Sequence, residues 1–275
     1  MSRNIGGERR TAGKNSKGYD RPMEEQMQCI RCILDAGELI LKSGGEISRV
    51  EDTMTRMFHA YGFLRADVFT ITSSIVVTVY TKEGEILTQT RRVSGYDMNL
   101  ERVHEMNQLA RDVCTSPMPL HELERRIDAI RTSPELSGWK MALLYGAVAA
   151  VFSVFFGGGA AEAFFGGATG MGLCLLLQLL EGPVTNAIVR YALAAVLGGL
   201  FLGVTRKYGI NYTIEPALMG NIMLVIPGIP FTNAIRDMLN GDTMSGMLRM
   251  SESLLRTIAL AAGLVGALAM LGSIS

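Results

Sequence analysis

The residue types best suited to chemistry in the second half of the chain follow an interruption in an apolar run. The run reads LVIPGIPFTNAIRDMLNGD over residues 224–242, and Pro227, Gly228 and Pro230 interrupt it. Proline has no backbone N–H to donate, so it breaks the hydrogen bonding of a helix interior. Two readings remain open: a broken helix that resumes after Pro230, or a helix that ends at Pro227 and is followed by a turn.

Three polar side chains come next in this run. If the helix resumes, Asn233, Arg236 and Asp237 stand at positions i, i+3 and i+4 and share one face. That face would present an amide, a cation and an anion within a stretch that otherwise suits lipid. Broken backbone and charge persist in hydrocarbon only where protein or a water-filled cavity satisfies them. The pattern predicts a place of contact with a solute or a proton.

A second polar cluster lies nearer the N-terminus, in the segment SGGEISRVEDTMTRM at residues 43–57. Its glycines favour a turn, because glycine tolerates positive φ. A helix after this turn would place Glu46 and Arg49 three residues apart, as neighbours on one face. One reading is a capped, salt-bridged surface helix, and the alternative is a binding or catalytic site. The candidate residues of this cluster are Ser43, Gly44, Glu46, Arg49 and Glu51.

Charge divides the chain into two parts that suit different solvents. Residues 1–138 contain 19 of the 26 Lys and Arg residues and 20 of the 26 Asp and Glu residues. We expect a disordered polar leader over residues 1–21, a soluble domain over 22–138 and a membrane domain over 139–275. A large charged N-terminal domain without a signal peptide predicts that this end stays in the cytoplasm.

The membrane domain is predicted from its long apolar stretches, since a spanning helix needs about 20 apolar residues. Five candidate spans lie at 141–161, 163–180, 191–205, 216–235 and 257–275. Glu215, immediately before Pro216, would be an acidic residue at the N-terminus of the fourth span. The spacings Gly166-x-x-x-Gly170 and Gly199-x-x-x-Gly203 predict closely packed helices.

The soluble domain has the pattern of an α+β domain. Helical spacing of apolar residues predicts helices over 22–42, 46–61, 97–114 and 120–131. Runs rich in Val, Ile and Thr at 67–80 and 86–93, joined by Lys82-Glu83-Gly84-Glu85, predict one β-hairpin. The expected fold class is an α-helical polytopic membrane protein of about five transmembrane helices, with an N-terminal soluble α+β domain.

Several function classes lack the residues that they need. Cys29 and Cys32 form one C-x-x-C in a helical context without a second ligand pair, so we interpret them as small apolar helix residues rather than a metal or redox site. The sequence has no G-x-x-x-x-G-K-[ST] segment, which argues against ATP as a direct energy source. No Ser/His/Asp or Cys/His set with a supporting local context points to an enzyme. We therefore expect neither enzymatic activity nor a cofactor.

The order of parts and three segments resemble a known family. The segments are SGGEISRVE at 43–51, YDMNLERVHEMNQLARDV at 96–113 and IPGIPFTNAIRDMLNGD at 226–242. Together they resemble the threonine/serine exporter family from about Glu25 to the C-terminus. The resemblance implies a bacterial inner-membrane exporter with a cytoplasmic N-terminal domain. Single-chain members carry a second membrane half that this sequence does not contain, so the chain is similar to the larger subunit of two-component members, which include dicarboxylate exporters.

The resemblance and the polar residues together predict secondary active export of small carboxylate-bearing metabolites by alternating access. Threonine- or serine-type amino acids are the first expectation, and a succinate-like dicarboxylate is the alternative. Arg236 would bind the substrate carboxylate, and Asp237 would hold Arg236 or take up a proton. Asn221 and Asn233 would add neutral hydrogen bonds. The residues assigned to transport are Asn221, Pro227, Gly228, Pro230, Asn233, Arg236, Asp237 and Glu215.

The expected partners are the small-molecule substrate, the lipid bilayer and a second small membrane subunit, a further copy of the chain, or both. No nucleic acid is expected. Two other readings stay open: a soluble enzyme or sensor domain that the spans only anchor, and a pore.

Overall fold

The structure is a computed structural model, and it describes residues 23–96, 98–181, 183, 186–208 and 211–274. The leader expected over residues 1–21 lies outside the described residues. The elements in chain order are α1 (Met23–Lys42), α2 (Ile47–Ala60), β1 (Arg65–Ile71), β2 (Ser74–Tyr80), β3 (Ile86–Arg92), α3 (Leu100–Thr115), α4 (Leu120–Arg131), α5 (Gly138–Phe155), α6 (Ala160–Leu180), α7 (Ala187–Lys207), α8 (Ile214–Val225), α9 (Gly228–Leu239) and α10 (Thr243–Ile274).

The N-terminal part, α1 to α4 with the three strands, encloses one apolar core. Helices α1 and α2 bury Ile33 and Phe58, strand β2 adds Val77, and α3 and α4 add Met106 and Leu123. Each of these five side chains is completely buried. The four helices predicted for this region are confirmed to within a few residues at each end.

The strand region differs from the prediction. The sequence predicts one strand over 67–80, whereas the structure has two, β1 and β2, which fold back antiparallel at the two-residue turn Thr72-Ser73. Strand β2 then pairs antiparallel with β3, and the order in the sheet is β1-β2-β3. The turn contains neither glycine nor proline, and neither of its residues has a positive φ. The sequence therefore carries no local signal of the kind that marks most tight hairpins.

The second part of the chain consists of apolar helices. Among the described residues, α5, α6, α7 and α10 are the four helices long and apolar enough to cross a membrane individually. The pair α8 and α9 meets the same criterion jointly and is bent by 51° at the break between the two helices. The molecule is thus a multi-pass membrane protein with four spans, or five if the bent pair crosses as one.

Two span boundaries differ from those predicted. The first span was expected to continue to residue 161, but α5 ends at Phe155 and the chain turns at Gly157, which has φ +90°. The last span was expected to begin at Thr257, but α10 begins at Thr243. The start of the last span was predicted too late because the prediction accepted only stretches without charged residues. Three charged residues lie shortly before Thr257. These residues, Arg249, Glu252 and Arg256, belong to the same helix as the apolar residues that follow.

Glycines bring α5, α6 and α8 into close contact. A Cβ added at Gly166 would lie 2.2 Å from Ser153 Oγ of α5, and one at Gly170 would lie 2.7 Å from Ala149 Cβ. A Cβ added at Gly220 of α8 would lie 2.4 Å from the backbone oxygen of Ala149. The predicted close packing at Gly166 and Gly170 is therefore confirmed, and α8 shares it.

Gly220→Ala should force α8 away from α5, because the atoms that the new methyl group meets include backbone of α5. We expect the stability to fall by about 1–3 kcal/mol, the usual cost of overpacking, seen as a lower Tm of the purified protein in detergent. The matched control is Gly172→Ala in α6, where nothing lies within 4 Å of the added Cβ. Equal Tm values for the two variants would contradict the close contact between α5 and α8.

Candidate functional site

The bend between α8 and α9 is formed around Pro227. Helix α8 ends at Val225, and α9 begins at Gly228 directly after the proline. Pro230 lies in the first turn of α9, where a backbone N–H would have no helical partner, and Phe231 N–H makes the first bond back, to Pro227 O at 3.0 Å. The helix therefore resumes before Pro230, and the segment is not a plain turn. Gly228 has no positive φ and open space where a Cβ would be, so the backbone does not require glycine there.

One face of α9 meets the connection between α1 and α2. Asn233 Nδ2 donates to the carbonyl oxygen of Gly44 at 3.0 Å, and Asp237 Oδ1 accepts the N–H of Ile47 at 3.3 Å. Both α9 side chains are buried. The two polar clusters of the sequence, nearly 190 residues apart, thus form one contact in the structure. We call it the loop–helix junction, and it comprises Gly44, Gly45, Glu46, Ile47, Asn233, Arg236, Asp237 and Arg249.

The rim of the loop–helix junction is an ion pair between Arg236 and Glu46. The arginine side chain is 54% exposed and the glutamate side chain 17%. Beside this pair, Asn240 Nδ2 donates to Ser48 Oγ at 3.3 Å. Water screens exposed ion pairs, so Arg236 and Glu46 are expected to orient the two surfaces more than to stabilise them.

The centre of the loop–helix junction is a buried ion pair between α9 and α10. Asp237 Oδ2 and Arg249 Nη1 are 3.5 Å apart, and their side chains are 0% and 5% exposed. Arg249 Nη2 donates to the carbonyl oxygen of Gly45 at 2.8 Å. Each charged group therefore also binds the backbone of the α1–α2 connection. At 3.5 Å the pair itself is loose, and Oδ2 and Nη1 have no hydrogen-bond partner among the described residues.

The α1–α2 connection is fixed from its other side as well. Gly44 has φ +96°, a left-handed conformation that favours glycine, and a Cβ there would lie 3.1 Å from the hydroxyl oxygen of Tyr96. Ser43 is buried, and its carbonyl oxygen accepts the N–H of Asn99 at 3.1 Å. The segment before α3 therefore holds the loop in place against α9.

Arg236 and Asp237 have different partners from those predicted. The sequence interpretation gave Asp237 two alternative roles, holding Arg236 or taking up a proton. In the structure Asp237 contacts Arg249 and Arg236 contacts Glu46, so the first role is not seen, and the second stays a prediction. Consecutive residues of a helix point about 100° apart, so the buried side chain and the exposed one face different neighbours. Arg249 was not singled out because the prediction began the last span at Thr257.

A signal for Arg249 is present in the sequence. Ser245, Arg249 and Ser253 stand at positions i, i+4 and i+8 of α10, and all three are buried. This polar stripe continues the helical period of the last span towards its N-terminus. A prediction based on helical periodicity, rather than on a stretch without charges, would have extended α10 towards its N-terminus and included Arg249.

Two residues of the N-terminal cluster do not belong to the loop–helix junction. Arg49 is exposed and makes no hydrogen bond or ion pair with a described residue. Glu51 Oε1 accepts the N–H of Thr70 at 2.7 Å and so ties α2 to β1. Burial raises the pKa of Glu51 above its ordinary value, although the bond from Thr70 acts in the opposite direction.

Asn221 and Glu215 lie in α8, away from the loop–helix junction. Asn221 Nδ2 donates to the carbonyl oxygens of Gly166 and Ala217 at 3.1 and 2.8 Å, and its Oδ1 has no described hydrogen-bond partner. This residue lines a partly open cavity of about 160 Å³ between α6, α7, α8 and α10, with almost entirely apolar walls. Glu215 is exposed in the first turn of α8, at the opposite end of that helix from the bend.

The cysteines of the C-x-x-C segment are core residues. Cys29 and Cys32 are buried in α1, and burial raises the pKa of Cys32 to about 11. Their interpretation as helix residues is confirmed. Within the described part of the chain, no three His, Cys, Asp or Glu side chains are placed to hold a metal ion.

The apolar helices define the class of protein, a multi-pass membrane protein whose described helices include the bent pair α8 and α9. Residues 31–271 match the family described as "Putative threonine/serine exporter". This match covers most of the chain, so the chain belongs to the threonine/serine exporter family.

Three relatives illustrate the range of this family. The chain is 29% identical over 248 residues to "Probable succinate transporter subunit YjjP" of Klebsiella aerogenes, covering 89% of this chain and 93% of that protein. It is 27% identical over 253 residues to the protein of the same name in Escherichia coli strain K12, covering 90% of this chain and 97% of that protein. It is 20% identical over 234 residues to "Threonine/serine exporter" of Corynebacterium glutamicum, covering 82% of this chain and 48% of that protein. No solved structure is significantly similar to the chain.

Asp237→Asn and Arg249→Gln should each destabilise the protein, because each leaves the other charge buried without its partner. The expected loss is about 3–5 kcal/mol for either variant. The double variant should lose less than the sum, since it leaves no unpaired buried charge. Thermal unfolding of the four purified proteins in detergent measures the coupling.

The exposed pair Asp52 and Arg56 is the matched control, with its atoms 2.9 Å apart and its side chains 58% and 70% exposed. Asp52→Asn and Arg56→Gln should leave the Tm nearly unchanged, alone or combined. Additive losses at Asp237 and Arg249 would show that the two buried charges are not coupled.

Proposed function

We propose that this chain is a bacterial inner-membrane secondary exporter of small carboxylate-bearing metabolites, working with a second membrane subunit. Family membership and the apolar helices support export across a membrane. The observation that carries the proposal is the bent pair α8 and α9, whose polar face is bound to the α1–α2 connection. Discontinuous helices of this kind form solute sites in many transporters, because helix ends offer free amides and carbonyls.

We further propose that α8 and α9 cross the membrane as one span, with the N-terminal part as a soluble α+β domain in the cytoplasm. Glu162 Oε1 of α6 accepts the N–H of Thr213, just before α8, at 2.7 Å. This bond supports a placement of the first residues of α6 and of α8 at the same end of the helix bundle. The contact of α9 with the α1–α2 connection supports a placement of the C-terminal end of the bent pair at the opposite end of the bundle. Five spans follow from this arrangement.

The loop–helix junction suggests how the N-terminal part takes part in export. Asn233 and Asp237 bind its backbone through buried hydrogen bonds, so a change in the tilt of α9 pulls directly on the α1–α2 connection. By contrast, Arg49 and Glu51 do not converge with Glu46 on one site. The geometry therefore favours a coupling domain over a separate enzyme site.

Two substrate classes fit the family. Threonine- or serine-type amino acids follow from the family description and from the name of the relative in Corynebacterium glutamicum. A succinate-like dicarboxylate follows from the names of two relatives that align over nearly their full length. Those names contain the word "subunit", which supports the proposal of a separate partner chain.

The test is efflux of labelled serine, threonine and succinate from host cells with and without this gene. The host is the native bacterium, compared with its deletion strain, because its own cells contain any partner subunit that the chain uses. We expect the gene to accelerate efflux of at least one of the three, with saturation and with loss on collapse of the proton gradient. Efflux that does not saturate and ignores the gradient would indicate a pore, and no gene-dependent efflux would reject the proposal.

A charge exchange in the rim ion pair distinguishes two roles of Arg236, which are to orient the loop–helix junction through Glu46 or to bind the substrate carboxylate. Arg236→Glu and Glu46→Arg should each reduce gene-dependent efflux, because each places like charges together in the loop–helix junction. The double variant should recover most of the efflux if Arg236 acts through Glu46. Recovery is read against the amount of folded protein in the membrane.

A folded double variant without efflux would assign Arg236 a direct contact with the substrate carboxylate. The pair Arg125→Glu and Glu122→Arg on α4 is the matched control, since its atoms form an exposed ion pair at 2.7 Å away from the loop–helix junction. Neither control variant should change efflux.

A further inference from the structure

A polar cavity of about 500 Å³ lies where the N-terminal part meets the first turns of α7, α9 and the early turns of α10. Pro230 lines it, so the beginning of α9 forms part of its wall. Thr72 and Ser73 of the β1–β2 turn line it from the N-terminal part. The wall also contains ionisable and hydroxyl-bearing side chains from the segment before α3, from α7 and from α10. They are Tyr96, Arg190, Arg249, Glu252, Ser253 and Arg256.

The described charged residues of this cavity are mostly cationic. Three arginines and one carboxylate, that of Glu252, line it among the described residues, and Asp237 already balances the charge of Arg249. The side chains of Arg190 and Arg256 make no hydrogen bond or ion pair with any described residue. A long cationic side chain near the end of a span can extend to the aqueous interface, so Arg190 and Arg256 do not need a protein partner there. Two guanidinium groups are therefore available to an anionic ligand.

Two buried donors in the cavity wall have no hydrogen-bond acceptor among the described residues, and one of them, Arg249 Nη1, is only loosely paired with Asp237 Oδ2 at 3.5 Å. Arg249 is 5% exposed, and its Nη1 has no hydrogen-bond partner among the described residues. The hydroxyl of Tyr96 is buried and likewise has no described partner. Burial raises the pKa of Tyr96 above its ordinary value, although Arg249 and Arg256 act in the opposite direction, so the phenol stays protonated at neutral pH and can donate. Buried donors without acceptors are unfavourable, and a ligand oxygen would satisfy them.

We propose that this cavity binds the exported metabolite and that the metabolite is a small dicarboxylate. Arg190 and Arg256 hold its two carboxylates. Arg249 and Tyr96 add hydrogen bonds from the buried side. The proposal rests on the export function proposed above and adds to it the substrate class and the site.

The charge of the cavity favours a dicarboxylate over a zwitterionic amino acid. Two arginine side chains without a partner among the described residues match two carboxylates, and guanidinium groups bind carboxylates through paired N–H donors. Among the described residues of the wall, the ammonium group of an amino acid would find Glu252 as its one countercharge. Arg236, the carboxylate partner predicted from the sequence, is not in the cavity wall and is already paired with Glu46.

Binding to the purified full chain in detergent tests the site. Titration calorimetry with succinate should show binding to the wild type, and serine and acetate should bind more weakly. Arg190→Gln and Arg256→Gln should each weaken succinate binding about tenfold or more, the usual result of removing one member of a charge pair. Because neither arginine bonds to a described residue, both variants are expected to fold. Arg125→Gln on α4 is the control and should bind succinate as the wild type does.

Cysteine labelling tests the location directly. Ser73 is exposed and lines the cavity, so Ser73→Cys should react with a small thiol reagent. Succinate should slow this reaction and should leave the rate at Cys114, the exposed native cysteine of α3, unchanged. Equal rates at Ser73→Cys with and without succinate, or succinate binding that is unaffected in both arginine variants, would overturn the proposal.

Two further outcomes are distinguishable. Anionic lipid headgroups share the oxygen chemistry of a carboxylate, so phosphatidylglycerol is tested in parallel. Protection of Ser73→Cys by this lipid and not by succinate would make the cavity a lipid site and overturn the proposal. In cells, gene-dependent succinate efflux that persists unchanged in Arg190→Gln and Arg256→Gln would reject this site and leave the export function standing, whereas absence of all gene-dependent efflux would reject the export function itself.

Discussion

A charged side chain that is buried away from water needs a partner of opposite charge. Asp237 and Arg249 form such a buried pair, and the contacts around them depend on it. Both are buried, on neighbouring helices, and each also bonds to the backbone of the α1–α2 connection, at Ile47 and Gly45. A buried ion pair contributes little net stability, but separation of its members is strongly unfavourable. Helices α9 and α10 therefore cannot part from each other, or from the α1–α2 connection, unless water reaches both charges. The pair joins three segments into one unit.

The two helices of the bent pair are held by different neighbours. Helix α8 packs against α5 and α6 through close backbone contacts at Gly166 and Gly220. Helix α9 is held by polar contacts with α10 and the α1–α2 connection. Pro227 lies where these two sets of contacts meet. A change in the bend angle therefore moves the unit around Asp237 relative to the unit around Gly220.

The sequence predicted the elements well where local chemistry decides them. Helix α4 and the glycine-mediated packing of α6 follow from spacing alone, and the alignment of Asn233, Arg236 and Asp237 follows from helical period. The split of the predicted strand at Thr72-Ser73 did not, because that turn has none of the usual turn residues. The sequence also did not predict that the two polar clusters, at residues 43–57 and 233–237, come into contact. This contact depends on long-range packing, which no periodicity within either segment encodes, and the same holds for the cavity that gathers Arg190 and Arg256.

The two cavities lie one after the other along the same helices. On α10, Arg249, Ser253 and Arg256 line the polar cavity, and Leu260 and Leu264 of the same face line the apolar one. The polar cavity suits a charged metabolite, whereas the apolar one offers it little besides Asn221. Burial of a charged group against apolar walls without a partner is unfavourable, so the apolar cavity disfavours a carboxylate. The bend at Pro227 lies between the α8 residues of one cavity and Pro230 of the other, so a change in its angle alters both at once.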